Sequence, residues 1–80
     1  MPVVGVLALQ GAFHAHARAL KQLNVEVREV RLPHDLDGLD GIVLPGGEST
    51  TMSHLLLSSG IFNVLTQRIA GGLPTMGTCA

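Results

Sequence analysis

Val3-Val4-Gly5-Val6-Leu7-Ala8-Leu9-Gln10-Gly11 is the stretch that decides how the rest of the chain is read. It is an unbroken apolar run, rich in β-branched residues, that stops at a polar side chain and a glycine. A strand with one wet face alternates apolar and polar positions, whereas a strand covered on both faces carries a continuous run. Val3 to Leu9 is therefore expected to be an inner parallel strand, with Gln10-Gly11 as the turn at its carboxyl end.

The pattern changes at Ala12. Phe13, His16, Ala19 or Leu20, and Leu23 recur at helical spacing among alanines, and Asn24 is a stop signal. Val25 to Arg31 reads as a second strand, with Val25, Val27 and the stem of Glu29 on one face and Glu26, Arg28 and Val30 on the other. Its charges place it nearer an edge than the first. Leu32 to Gly38 is a connection, and Gly41-Ile42-Val43-Leu44 is a short central strand running into Pro45-Gly46-Gly47.

Ser49, Thr50 or Thr51 can cap a following helix by accepting an unpaired amide proton. Met52, Leu55, Leu56, Ile61 or Phe62, Val64 or Leu65, and Ile69 form its apolar surface, and Ser58-Ser59-Gly60 divides it in two. Gly71-Gly72 resets the direction, and Leu73 to Thr78 supplies another strand. The order β-α-β, then β-α-β, predicts a three-layer α/β fold: a mostly parallel sheet flanked by helices joined through right-handed crossovers. A doubly wound domain ordinarily has more strands than 80 residues provide, so residues 1–80 are expected to be the N-terminal part of one larger domain.

Composition narrows the function. The net charge is −1, and the five basic residues are scattered, which supplies no track for a nucleic-acid backbone. Phe13 and Phe62 are the only aromatic residues, so no base-stacking platform is expected either. One cysteine excludes an internal disulfide framework and fits a reducing compartment. The first apolar run has no basic leader and breaks before it is long enough to cross a bilayer, so a cytoplasmic protein without a membrane partner is expected.

Three turns at strand carboxyl ends carry the candidate chemistry: Gln10-Gly11, Gly46-Gly47, and Gly77-Thr78-Cys79. In open α/β sheets such ends share one crevice, where ligands bind. Cys79 follows a strand in a turn like a nucleophile elbow. A helix starting there would favour the thiolate, and the Ala80 amide could steady an oxygen anion beside the sulfur. Against this, a lone cysteine is often a small core residue.

Gly46-Gly47 suits an oxyanion site, a phosphate cradle or a plain tight turn; the loop has no lysine and lacks full phosphate-loop spacing. Glu48 can receive a substrate amino group or cap a helix. Gln10 can bind a substrate amide or close its own turn. His14, His16, His34 and His54 do not form a metal set and are read as surface, packing or capping residues, although spatial proximity could still make one of them a base.

Taken together, these motifs strongly resemble the glutaminase-subunit family of pyridoxal 5'-phosphate synthase, within the class I, triad-type glutamine amidotransferases of flavodoxin-like fold. The resemblance rests on Gly5 to Phe13 with His16, on Leu44-Pro45-Gly46-Gly47-Glu48-Ser49-Thr50-Thr51-Met52, and on Gly77-Thr78-Cys79-Ala80. It implies that Cys79 attacks the carboxamide of L-glutamine to form a glutamyl thioester. Gly47, with the Ala80 amide, would form the oxyanion hole, and Gly46 would permit the loop geometry.

By the same resemblance, Glu48 and Ser49 lie around the glutamine pocket, while Gln10 and His16 sit near the site and the partner interface. Ala15 departs from the family pattern, which commonly carries Glu there. The implied partner is a β/α-barrel synthase subunit that receives the ammonia. No metal or redox cofactor is implied, and the base His and its Glu would lie in the later half of the domain. An inactive docking or regulatory fragment of the same complex, and a generic cysteine acyl hydrolase, are the alternatives.

Overall fold

A computed structural model describes residues 1–8, 13–45 and 56–77, with residues 13–16 described by their backbone alone. Among the described residues, four parallel strands form one sheet: β1 (Val3–Leu7), β2 (Glu26–Val30), β3 (Gly41–Leu44) and β4 (Thr75–Gly77). Their spatial order is β2-β1-β3-β4. The inner position expected of the first apolar run is the one it occupies, and β2 lies at an edge as its charges suggested.

The strands are shorter than their sequence signals. β1 stops at Leu7, although the Ala8 amide still donates to the Val30 carbonyl at 2.9 Å; Leu9 lies outside the described residues. β2 loses Val25 and Arg31 from its expected ends, and β4 begins at Thr75 rather than Leu73. Pro74 has no amide hydrogen, and its carbonyl instead accepts from Ile42 at 2.9 Å, so β4 begins just after it.

Helix α1 (Phe13–Lys21) joins β1 to β2. Arg18 and Lys21 in its last turn complement the negative end of the helix dipole. Asn24 takes a left-handed φ of 58°, which its short polar side chain tolerates, and the expected stop is thereby realised. Leu23, expected on the apolar stripe, belongs to the turn beyond the helix and is 69% exposed.

Between β2 and β3 the chain makes only a 3-10 turn, Pro33–Leu36. Residues 56–58 are helical, Ser59 and Gly60 form a turn, and α2 (Ile61–Ala70) follows, so the expected division of this segment at Ser59-Gly60 is observed. The Ser59 hydroxyl donates to the Leu56 carbonyl at 3.2 Å and accepts from the Ile61 amide at 3.4 Å. Of the apolar pairs read from the sequence, Ile61 and Leu65 are buried, whereas Phe62 and Ile69 remain exposed.

Neighbours in a parallel register point to the same face, which sorts the core. Leu7, Val30 and Ile42 meet Leu36 of the 3-10 turn and Ile61 and Leu65 of α2 in one buried cluster. Val4, Val6 and Val43 are on the opposite face, with Leu20 of α1 beside Val4 and Val43. Helical elements on both faces make the expected three layers.

Gly5 is needed for contact rather than for a turn. A Cβ placed there would lie 2.7 Å from Leu39 Cδ1 and 2.9 Å from Val30 Cγ2. Leu39 can swing away, but Val30 is fully buried and stiff at χ1. Gly5→Ala is expected to destabilise the chain by about 1–3 kcal/mol. A thermal midpoint equal to that of the parent would show that the Leu39-Val30 contact yields freely.

Candidate active site

In the order β2-β1-β3-β4, the chain leaves β1 towards one side of the sheet, returns past it, and continues to the other side. The gap between the carboxyl ends of β1 and β3 is thus the topological switch point, where open parallel sheets bind ligands. Val6 pairs with Val43, and Leu44 pairs with Gly77, which sets the last residues of β1, β3 and β4 side by side at one edge.

Each of those strands runs directly into a motif singled out in the sequence. Ala8 precedes Leu9-Gln10-Gly11, buried Pro45 precedes Gly46-Gly47-Glu48-Ser49, and Gly77 precedes Thr78-Cys79-Ala80. Gln10, Gly46, Gly47, Glu48, Ser49, Cys79 and Ala80 themselves lie outside the described residues. His16 belongs to α1, one helical turn before Leu20, and is described by its backbone alone.

His34 and its surroundings are described in full, and they form a surface anchor. Its Nε2 is 3.4 Å from Asp35 Oδ1, with the imidazole largely exposed. The other Asp35 oxygen accepts from the Arg31 and Leu32 amides, both at 3.0 Å, and so satisfies two N–H groups at the start of the 3-10 turn. This agrees with the surface role among those expected of the histidine, and the amide capping falls to Asp35. Among the described residues, no group of three or more His, Cys, Asp or Glu could hold a metal ion.

Those amide hydrogen bonds, from Arg31 first and Leu32 second, hold the Asp35 carboxyl below the usual carboxylate range; His34 and Arg28 add to the effect, and burial opposes it. A carboxylate whose pKa is lower in the folded chain stabilises it above the unfolded value, and that stabilisation is lost as pH falls through the folded value. Asp35→Asn is accordingly expected to lower the urea midpoint at pH 7, with the difference from the parent shrinking below about pH 4. A difference that is the same at pH 7 and pH 3 would refute the assignment.

Sequence reasoning missed how the connection between β2 and β3 is held. Arg28 of β2 donates to the carbonyls of Asp35 and Asp37. From the other side, Arg68 of α2 donates to the Leu36 carbonyl at 3.2 Å and meets the Asp37 carboxylate at 2.6 Å. Planar, multidentate guanidinium groups suit a cluster of outward-facing carbonyls. The two arginines are 40 positions apart in the sequence, so no local spacing could have paired them.

Comparison with known proteins adds what the strand ends leave open. The SNO glutamine amidotransferase family model matches residues 6–80. The chain belongs to the SNO glutamine amidotransferase family. The family resemblance read from the three motifs is thus correct.

Among curated members with this similarity, the pyridoxal 5'-phosphate synthase subunit PdxT of Deinococcus radiodurans is 58% identical over 77 residues, covering 96% of this chain and 39% of its own. PdxT of Thermobifida fusca is 52% identical over 79 residues, covering 99% and 39%. A crystal structure of a glutamine amidotransferase superposes with a TM-score of 0.89 at 48% identity, over 95% of this chain and 41% of that one. The flavodoxin-like fold expected for the family is therefore the fold observed. The chain spans about two fifths of the length of the relatives it matches.

Proposed function

We propose that residues 1–80 are the N-terminal part of a single glutamine amidotransferase domain that hydrolyses L-glutamine to L-glutamate and ammonia. The observation that carries this reading is the parallel register at the sheet edge. Leu44 and Gly77 are partners, and each stands two residues before a key position, Gly46 on one chain segment and Cys79 on the other. Parallel strands lie about 4.8 Å apart, so the described residues that precede the two motifs are neighbours, which supports a shared site for Gly46-Gly47 and Cys79.

In this reading the Cys79 thiolate attacks the carboxamide carbon of glutamine. The carbonyl oxygen becomes an anion, for which the amides of Gly47 and Ala80 supply donors. The C–N bond then breaks, and the nitrogen departs as ammonia after gaining a proton from an imidazole that had accepted the thiol proton. Water attacks the resulting thioester, releases glutamate and restores the thiol.

Glu48 and Ser49 belong to the glutamine pocket in this reading, and Gln10 to the neighbourhood of the site and the partner interface. The imidazole and its orienting carboxylate come from the remainder of the domain. Two similar relatives carry the name pyridoxal 5'-phosphate synthase subunit. That supports delivery of ammonia to a β/α-barrel synthase subunit, with Gln10 and His16 near the contact.

The second reading is an inactive docking or regulatory fragment of the same synthase complex. In that reading these residues serve to dock on the synthase partner, and no glutamyl thioester forms on Cys79. Incubation of the chain with glutamine, alone and with the remaining part of the domain, separates the two. Ammonia released only by the combined protein supports the first reading; partner binding without any glutamyl thioester in the combined protein supports the second.

A further inference from the structure

Residues 37–42 read Asp-Gly-Leu-Asp-Gly-Ile, so one dipeptide stands twice within a short stretch. Aspartyl-glycine is among the chemically least stable links of a protein chain, because glycine has no Cβ to shield its nitrogen from the carboxyl group before it. The two copies have matching neighbours, since an aliphatic residue follows each. The fold treats them differently.

Asp40-Gly41 is built into the sheet. The Asp40 amide donates to the Val3 carbonyl at 2.7 Å, and the Val3 amide donates to Asp40 Oδ2 at 2.7 Å. Gly41 opens β3 as the partner of Val4, and it is buried. Asp37-Gly38 instead lies beyond the 3-10 turn, outside the ladder. Gly38 has a left-handed φ of 73°, and a Cβ built there would meet no described atom within 4 Å. The Asp37 carboxylate is largely exposed and meets Arg68 Nη2 at 2.6 Å, while Arg28 donates to the Asp37 carbonyl.

We propose that Asp37-Gly38 is a site of spontaneous isoaspartate formation, held shut by Arg28 and Arg68. In the reaction the Gly38 nitrogen bonds to the Asp37 carboxyl carbon and loses its proton, and one carboxyl oxygen departs as water, leaving a five-membered succinimide. Water then adds to one ring carbonyl, and the C–N bond there breaks. Addition at the side-chain carbonyl restores aspartate; addition at the main-chain carbonyl gives isoaspartate, whose main chain runs through the side-chain carbons. The water lost is regained, so mass is unchanged and no co-reactant is needed.

The two arginines hold the groups that this ring closure must move. Closure requires the Gly38 nitrogen to eclipse Cβ about the Cα–C bond, which an L residue reaches at negative ψ. Asp37 stands at ψ 132°, with that nitrogen turned away. The peptide unit is planar, so turning the nitrogen inward swings the Asp37 carbonyl off Arg28. Bringing the carboxyl carbon to the nitrogen takes its oxygen off Arg68. The product would lengthen the main chain between Leu36 and Leu39, both of which pack in the core.

The test is incubation of the full chain at neutral pH, with isoaspartate located by electron-transfer fragmentation, which distinguishes the two forms at equal mass. In urea both sites are expected to isomerise at similar rates, whereas in native buffer isoaspartate accumulates at Asp37 and not at Asp40. An exposed ion pair is a weak restraint, so Arg68→Gln is expected to raise the rate at Asp37 about threefold. With Arg28→Gln added, the carbonyl is also released, and the rise is expected to reach about tenfold or more. Asp40, in the same molecule, reports any opening of the whole fold. Equal accumulation at the two sites in native buffer, a double-variant rate at Asp37 equal to that of the parent, or a rise at both sites together would each overturn the inference.

Discussion

Cys79→Ala is expected to remove glutamine-dependent ammonia release from the combined domain by roughly 10⁴-fold or more, because no other group can take over a covalent step. Cys79 is the one cysteine of these 80 residues. The same variant should show no glutamyl adduct by mass spectrometry when the parent is quenched during turnover. Binding of glutamine should survive, since the loop bearing Gly46 to Ser49 is untouched. Turnover within tenfold of the parent, with the fold intact, would remove Cys79 from the mechanism and leave a docking role as the better account.

The largest expected effect on stability comes from Leu36→Ala. Leu36 is 1% exposed and belongs to the buried cluster that also holds Val30 of the sheet and Ile61 of α2. Truncating it removes buried methyl groups at a point where the backbone cannot close the void. Arg28 and Arg68 hold the carbonyls of residues 35–37 from both sides. A loss of about 2–5 kcal/mol is expected.

For 80 residues, total stability is on the order of 4–12 kcal/mol at ordinary values per residue. The variant should therefore unfold at a much lower urea concentration, with the slope of the transition preserved. A loss below about 1 kcal/mol would mean that the 3-10 turn is a loose flap rather than the seal of the core.

These two effects lie at different depths of legibility. Cys79 was singled out because cysteine, glycine turn and strand end occur in one order at fixed spacing, and its role is the one proposed above. The weight carried by Leu36 was not. In the sequence, Leu32 to Gly38 is a polar connection with a proline and two aspartates, and nothing local marks one of its leucines as a core residue. Its burial follows from Arg28 and Arg68 converging on the turn, and that convergence requires the sheet and α2 already to be in place.

The strands show the same division. Their number, type and alternation with helices were legible from unbroken apolar runs broken by glycine and proline. Their ends were not, since β1 and β2 were expected to run further than the ladder does. Periodicity locates a strand, but pairing with a neighbour decides where it stops. Ile69 on α2 and Leu23 in the turn after α1 illustrate the same point: each fits the apolar repeat, and each is exposed.

By itself the sequence determined the parallel α/β plan, the inner place of the first strand, the stop at Asn24, the break at Ser59-Gly60 and the family. Such features are written in runs of a few residues, where side-chain shape and backbone preference act locally. The tertiary structure alone decided that Gly5 makes room for Leu39 and Val30, and that two distant arginines hold one turn. Those depend on residues far apart in the chain being brought within a few ångströms, and no local pattern encodes a distance of that kind.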